Sequence, residues 1–198
     1  MSQGNIIFEK IQQIDTWGLV FVNKTLANPL FDTVMPWLRE SIIWLPLYLY
    51  LVVWGLMNMG KRKWWWVFSA ILSVAISDQI SSGFIKTTVQ RMRPCKDPEV
   101  LPQIILRLDQ CSGAFSFTSS HAANHFSLAM FVFVSLWPVV SHTITRWLFV
   151  WAGLICLAQV YVGVHYPLDI FFGSLVGLGS GWLAAKIFQR ASPIISIT

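Results

Sequence analysis

Charged side chains are scarce in this sequence, and that scarcity excludes an ordinary soluble domain. Only 12% of the residues are Asp, Glu, Lys or Arg, whereas 55% are hydrophobic and eleven are tryptophan. Soluble globular domains carry charge on about a quarter of their residues. Apolar runs near bilayer length recur along the chain, so we predict one multi-pass membrane domain over residues 1–198. The N-terminus lacks the basic patch and cleavage site of a secretory signal peptide.

Cysteines and possible metal ligands are also few. Cys95 and Cys111 lie in one predicted loop and Cys156 in a predicted span. The loop pair forms either a disulfide, as in oxidising compartments, or two free thiols, and both alternatives stay open here. His121 and His125 have the spacing of a metal pair, but no third ligand at suitable spacing accompanies them. We therefore predict no metal site, and we interpret His125 as polar support for His121.

The apolar segments predict an all-α fold, a polytopic membrane helix bundle of about five transmembrane helices. The predicted spans are 41–59, 64–84, 122–140, 147–164 and 168–188. Residues 1–38 mix apolar and charged side chains, which favours an amphipathic N-terminal helix lying in the membrane interface. Residues 87–117 form the longest connection, an outer loop.

The distribution of basic residues predicts the orientation of the bundle. Six cations without neighbouring acidic residues fall on one side of the predicted spans: Lys61, Arg62, Lys63, Arg146, Lys186 and Arg190. The positive-inside rule makes that side cytoplasmic. The loop 87–117 and the connection before the fifth span then face the periplasm or exterior of a cell membrane, with a bacterial inner membrane favoured. The basic residues behind the net charge of +5 thus divide into a cytoplasmic group and a group on the outer face that could bind an anion. We predict no nucleic-acid partner.

Two segments on the predicted outer face have the chemistry of an anion site. Lys86, Arg91 and Arg93 close the second span, where they are either headgroup anchors or a cradle for phosphate oxygens. Ser119 and Ser120 precede the third span as possible helix caps, and a helix start with free amides binds anions. His121 follows them, as a proton donor or as a polar residue at the water line.

A third segment carries a histidine and a carboxylate between the last two spans. Pro167 is suited to the first turn of a helix, where the helix dipole also favours the negative charge of Asp169. His165 precedes that break, at the predicted outer end of the fourth helix. The pair is either a nucleophile with its orienting carboxylate or an interfacial histidine beside a capping aspartate.

The order and spacing of these segments resemble the type 2 phosphatidic acid phosphatases (lipid phosphate phosphatases), a family related to vanadium haloperoxidases. The first family motif, K-x6-R-P, is matched completely by Lys86, Arg93 and Pro94. The second, P-S-G-H, is matched in part by Thr118-Ser119-Ser120-His121. The third, S-R-x5-H-x3-D, keeps its histidine and aspartate as His165 and Asp169, but Ala158 and Gln159 replace its serine and arginine.

The resemblance implies a metal-independent lipid phosphatase with no cofactor. His165 would form a phosphohistidine, Asp169 would orient it, and His121 would serve as general acid and base. The phosphate-binding residues would be Lys86, Arg93, Ser119, Ser120 and Gln159, with Arg91 as a candidate replacement for the missing arginine charge.

The implied substrate is a lipid phosphate or diphosphate, such as undecaprenyl diphosphate, phosphatidylglycerol phosphate, phosphatidic acid or a lipid A phosphate. The alternatives are a phosphotransferase using the same histidine and a non-catalytic lipid-phosphate binder or transporter. The predicted partners are the substrate and membrane lipids, and the sequence does not indicate an oligomeric state.

Overall fold

The computed structural model describes residues 3–137 and 140–191, and these residues form helices joined by turns and one long loop. The helices are α1 (Gln3–Val20), α2 (Pro29–Leu38), α3 (Leu45–Asn58), α4 (Lys63–Asp78), α5 (Lys86–Val89), α6 (Ser120–Leu136), α7 (His142–Tyr161) and α8 (Pro167–Ala191). A π-helical segment, Gln79–Ile85, joins α4 to α5, so that Lys86 lies on a continuous helix. The all-α prediction is confirmed.

Four helical segments of the described chain are long and apolar enough to cross a membrane. They are Ser41–Asn58, Gly60–Val89, His142–Tyr161 and Pro167–Ala191. The remaining predicted span corresponds to α6, which has 17 residues. The membrane helix bundle is therefore confirmed, and five is an approximate count.

Several predicted boundaries are wrong. The fourth helix begins at His142 rather than 147, because the non-helical ψ angle of 131° at Ser141 makes that residue the N-cap. It ends at Tyr161 rather than 164, because Gly163 turns the chain with a φ of 86° that few other residues adopt. Residues 138 and 139 of the predicted third span lie outside the described residues.

Helices α6 and α8 approach each other closely along a line of glycines. A Cβ atom on Gly177 would lie 2.2 Å from the Ala123 carbonyl oxygen, and one on Gly181 would lie 2.2 Å from that of Ser127. Small residues at such positions let two helix backbones pack tightly in a membrane. At the start of both helices, the Ser119 amide donates to the Asp169 carbonyl oxygen at 3.0 Å. The packing thereby brings the second and third motifs together.

The N-terminal segment packs against the end of the bundle that carries the motifs. Residues 6–14 of α1 are exposed on all sides, and their apolar members include Ile7, Ile11 and Ile14. Nearer the end of the helix, Asp15 and Leu19 are buried. Asn23 then accepts from the Ile105 amide at 2.7 Å and donates to the Tyr161 carbonyl at 2.7 Å, which joins this segment to the long loop and to α7. The N-terminal segment is helical as predicted, and its amphipathic position in a membrane interface stays a prediction.

A disulfide closes the long loop. Cys95 and Cys111 are bonded, with their Cα atoms 6.1 Å apart, and Cys156 is a buried free thiol. Of the two alternatives left by the sequence, the structure supports the disulfide. Because Cys95 follows Arg93 by two residues, the bridge holds the cationic motif beside the returning loop strand, where Met92 and Phe115 form an antiparallel bridge.

Candidate active site

His165 lies in the turn between α7 and α8. The sequence placed it at the end of the fourth helix, but that helix has already ended at Tyr161. Pro167 opens α8 and Asp169 lies in its first turn, as predicted. Both side chains are buried, His165 at 1% exposure and Asp169 at 0%.

The carboxylate of Asp169 fixes the imidazole of His165. Asp169 Oδ2 lies 3.3 Å from His165 Nδ1 and also accepts from the Tyr166 amide at 2.9 Å. Because an ionised carboxylate only accepts hydrogen bonds, the imidazole proton is on Nδ1 and the lone pair is on Nε2. Burial lowers the pKa of His165 to about 4, with Arg93 adding to the effect and Asp169 opposing it. His165 is therefore neutral at pH 7 and held in one orientation, as the nucleophilic role expected for it requires.

Two cations of the first motif lie near the His165 imidazole. Arg93 Nη1 is 3.5 Å from His165 Nε2, the nitrogen that carries the lone pair. Lys86 donates to the Ser120 hydroxyl at 2.7 Å, and its charge interacts with that of Arg93. The structure thus brings Lys86 to Ser120 and Arg93 to His165 in one cluster, and the phosphate-binding role predicted for these residues stays a prediction.

His121 follows Ser120 in the first turn of α6. Its ring is close enough to His165 and Lys86 for their charges to act on it. His125, one turn further on, donates from Nδ1 to the His121 carbonyl oxygen at 2.7 Å and accepts the Tyr48 hydroxyl on Nε2 at 2.9 Å. These contacts agree with the predicted role of His125 as polar support for His121. Tyr48 was missed, because nothing in an apolar span marks one tyrosine as a partner.

Arg91 reaches the site but binds two carboxylates. Its Nη1 donates to Asp169 Oδ1 at 2.9 Å, and its Nη2 lies 2.7 Å from Asp15 Oδ2. Asp15 also accepts from the Leu168 amide at 2.8 Å. This geometry favours a positioning role for Arg91, while its predicted contact with phosphate stays a prediction. Sequence reasoning missed Asp15, whose only signal was one acidic residue among apolar ones in α1.

Ser119 and Gln159 differ in how they are used. The Ser119 hydroxyl caps α6 by accepting from the Ala122 amide at 3.4 Å, so Ser119 holds the helix start in place. Gln159 is 1% exposed, and neither atom of its amide has a partner among the residues that the structure describes. A buried unpaired amide costs free energy unless something else occupies the space beside it. The phosphate contacts predicted for both residues stay predictions.

A cleft leads from the site into the apolar part of the bundle. Its volume is about 630 Å³, and it lies between α3, α4 and α6. Asp78, Ser120 and His121 line one part, while Leu51, Trp66 and other apolar side chains line the rest. A polar end and a long apolar lining suit an amphiphilic ligand. Within the described residues, no group of three His, Cys, Asp or Glu side chains could hold a metal ion.

Comparison with known proteins agrees with this geometry. Residues 62–193 match the sequence profile of the PAP2 superfamily. The chain belongs to the PAP2 superfamily. A lipid A 4'-phosphatase of Bacteroides thetaiotaomicron is 30% identical over 183 residues, which cover 89% of this chain and 78% of the relative. A lipid A 4'-phosphatase of Porphyromonas gingivalis is 34% identical over 125 residues, 63% of this chain and 52% of the relative.

Two solved PAP2-like structures share the fold. Aquifex aeolicus LpxE superposes with a TM-score of 0.62 at 24% identity, covering 85% of this chain and 92% of the other. A PAP2-type phosphatidylglycerolphosphate phosphatase from Bacillus subtilis superposes with a TM-score of 0.69 at 19% identity, covering 94% and 90%. The resemblance drawn from the three motifs is confirmed, and the chain is a membrane lipid phosphatase of the PAP2 superfamily. Asp15, which pairs with Arg91, lies outside residues 62–193 that match the PAP2 profile.

Proposed function

We propose that this phosphatase removes a phosphate monoester from a lipid A-type glycolipid through a phosphohistidine on His165. The observation that carries the proposal is the geometry of His165, whose Nδ1 is held by Asp169 and whose Nε2 faces Arg93. Two relatives are named lipid A 4'-phosphatases, which favours this substrate over the other lipid phosphates. The apolar cleft beside His121 provides space for an acyl chain.

The first chemical step forms the phosphoenzyme. The lone pair on His165 Nε2 attacks phosphorus, an N–P bond forms, and the P–O bond to the lipid breaks. His121 in its protonated form gives its proton to the departing oxygen. Asp169 stabilises the positive charge that develops on the His165 ring. Lys86 and Arg93 stabilise the charge on the equatorial phosphoryl oxygens, which is the main contribution in phosphoryl transfer.

The second step hydrolyses the phosphoenzyme. His121, now neutral, accepts a proton from water as the water oxygen attacks phosphorus. The N–P bond breaks, phosphate leaves, and the His165 lone pair is restored. The positive-inside distribution of Lys and Arg supports a site that faces the periplasm or exterior.

A substrate panel on purified protein tests the proposal. The panel contains a lipid A 4'-phosphate, phosphatidic acid, phosphatidylglycerol phosphate and undecaprenyl diphosphate, each assayed with a chelator present. We expect phosphate release, fastest from the lipid A substrate, inhibition by vanadate, and no release by His165→Ala. Release only when an acceptor other than water is added would indicate a phosphotransferase. Binding without any release would indicate a lipid-phosphate binder, and either result would overturn the proposal.

A further inference from the structure

A third arginine approaches the pocket from outside the three motifs. Arg39 follows the last residue of α2, and its amide donates to the Met35 carbonyl oxygen at 3.3 Å. Its charge interacts with those of Arg93 and His121. None of the sequence patterns drew attention to it, because a single arginine before a span has the ordinary appearance of a membrane-interface anchor.

The packing around the end of α2 places Arg39 beside the site. Leu38 packs on the apolar cluster that contains Ala158 and Cys95, which neighbour Gln159 and the Arg93 motif in sequence. The Trp44 indole donates to the Leu38 carbonyl oxygen at 2.9 Å and so holds the turn that carries Arg39. Ser41, two residues further on, lines the same cleft as His121. The position of Arg39 thus follows from contacts on both sides of it.

The guanidinium of Arg39 is poorly compensated. Its side chain is only 13% exposed, and Nη1 pairs at 2.9 Å with Glu40, whose own side chain is 51% exposed. Its buried Nε has no hydrogen-bond partner within the part of the chain that the structure describes. A buried cation next to other cations is costly unless an anion completes the site. Together, Arg39, Arg93 and Lys86 provide the positive charge that balances a doubly charged phosphate.

Gln159 also indicates that the cluster lacks a guanidinium at that position. It occupies the position where the family pattern has an arginine, and its buried amide is unpaired among the described residues. Arg91 is not available to supply that charge to a phosphate, because its guanidinium already pairs with Asp15 and Asp169. We propose that Arg39 is a phosphate-binding residue of the active site, supplying from the N-terminal segment the guanidinium that position 159 lacks. This inference rests on the proposed function only in that the pocket binds a phosphoryl group.

The test measures the binding of inorganic phosphate and of vanadate to the full-length protein, by thermal shift and by inhibition of hydrolysis. Losing one charge-assisted hydrogen bond weakens binding by roughly ten-fold to a hundred-fold. We expect Arg39→Gln to raise both dissociation constants by about that factor. Arg39→Lys keeps the charge but loses the planar fork, so its dissociation constants should lie between those of the wild type and Arg39→Gln. Glu40→Gln, the matched control, removes only the exposed partner and should change binding less than about two-fold.

A second-site variant distinguishes a local role from general damage. In Arg39→Gln, the added substitution Gln159→Arg returns a guanidinium to the same pocket and should recover most of the lost affinity. Unchanged phosphate and vanadate binding in Arg39→Gln would overturn the inference, and so would an equal loss in Glu40→Gln. If Arg39→Gln does not fold, Arg39→Lys decides, because wild-type affinity in that variant would contradict a forked contact. Failure of the wild type to hydrolyse lipids would refute the proposed function, and the thermal-shift measurements of phosphate and vanadate binding would still test the role of Arg39.

Discussion

The substitution Asp15→Asn examines whether the N-terminal helix takes part in catalysis. Asparagine keeps an oxygen for the Leu168 amide, now 2.8 Å away, but it loses the negative charge that lies 2.7 Å from Arg91. A hydrogen bond to a charged group contributes roughly 1.5–3 kcal/mol. The lower end applies here, because the Arg91 side chain is 21% exposed and keeps its second bond to Asp169.

A loss of about 1.5 kcal/mol corresponds to roughly ten-fold in rate. We expect kcat for phosphate release to fall by about that factor, because Arg91 then holds the Asp169 carboxylate, and through it His165, less firmly. KM should stay within about two-fold, since Lys86 and Arg93 are untouched. Asp15→Asn added to Arg91→Gln should cause no further loss, because Asp15 acts through Arg91.

Asp32→Asn is the matched control. It makes the same substitution in the same N-terminal segment, where Asp32 pairs with Arg107 and Tyr161 away from His165. Its kcat should stay within about two-fold of the wild type, because its side chain is 48% exposed. Asp15 does not act through Arg91 if Asp15→Asn retains full kcat, raises KM alone, or lowers the rate independently of Arg91.

Three further predictions concern the loop, the nucleophile and the bundle. Thiol counting in denaturant should find one free cysteine before reduction and three after it, and Cys95→Ser with Cys111→Ser should lower stability by roughly 3 kcal/mol; three free thiols at the outset would exclude the bridge. An imidazole NMR titration should show His165 neutral at pH 5.5, since burial lowers its pKa to about 4, whereas a midpoint near 6.5 would contradict the buried geometry. Gly177→Ala should lower the free energy of unfolding by roughly 1–3 kcal/mol, because its Cβ would lie 2.2 Å from a backbone oxygen. An unchanged denaturation midpoint would contradict the close contact between α6 and α8.

Much of the fold follows from local patterns in the sequence. The helices appear where apolar runs of bilayer length predict them, and Pro167 starts α8 as its fixed φ angle suggests. Their ends were less predictable. The last turn before His165 depends on Gly163, whose positive φ is set by packing against the long loop as well as by its own flexibility.

The motif residues of the site were predictable because their spacing carries the chemistry. Lys86 and Arg93, His121, and His165 with Asp169 come together, although they lie on separate helices, a loop and a turn. The side chains that surround them were not predictable. Asp15 contacts Arg91 and Tyr48 contacts His125 through tertiary packing, which leaves no periodic signal in a sequence.

Arg91 shows why residue type alone is insufficient. Its charge and its place in the first motif suggested contact with phosphate, whereas its fork binds two carboxylates that approach from α1 and α8. Only the fold determines which anion a given arginine meets.

The most direct test of the account is to isolate the phosphoenzyme. The wild-type protein is mixed with a lipid phosphate labelled in its phosphoryl group, quenched rapidly in alkali, and digested for peptide mapping. We expect an alkali-stable, acid-labile phosphoryl group on His165 that is absent from His165→Ala. Label on any other residue, or continued phosphate release by His165→Ala, would rule out His165 as the nucleophile.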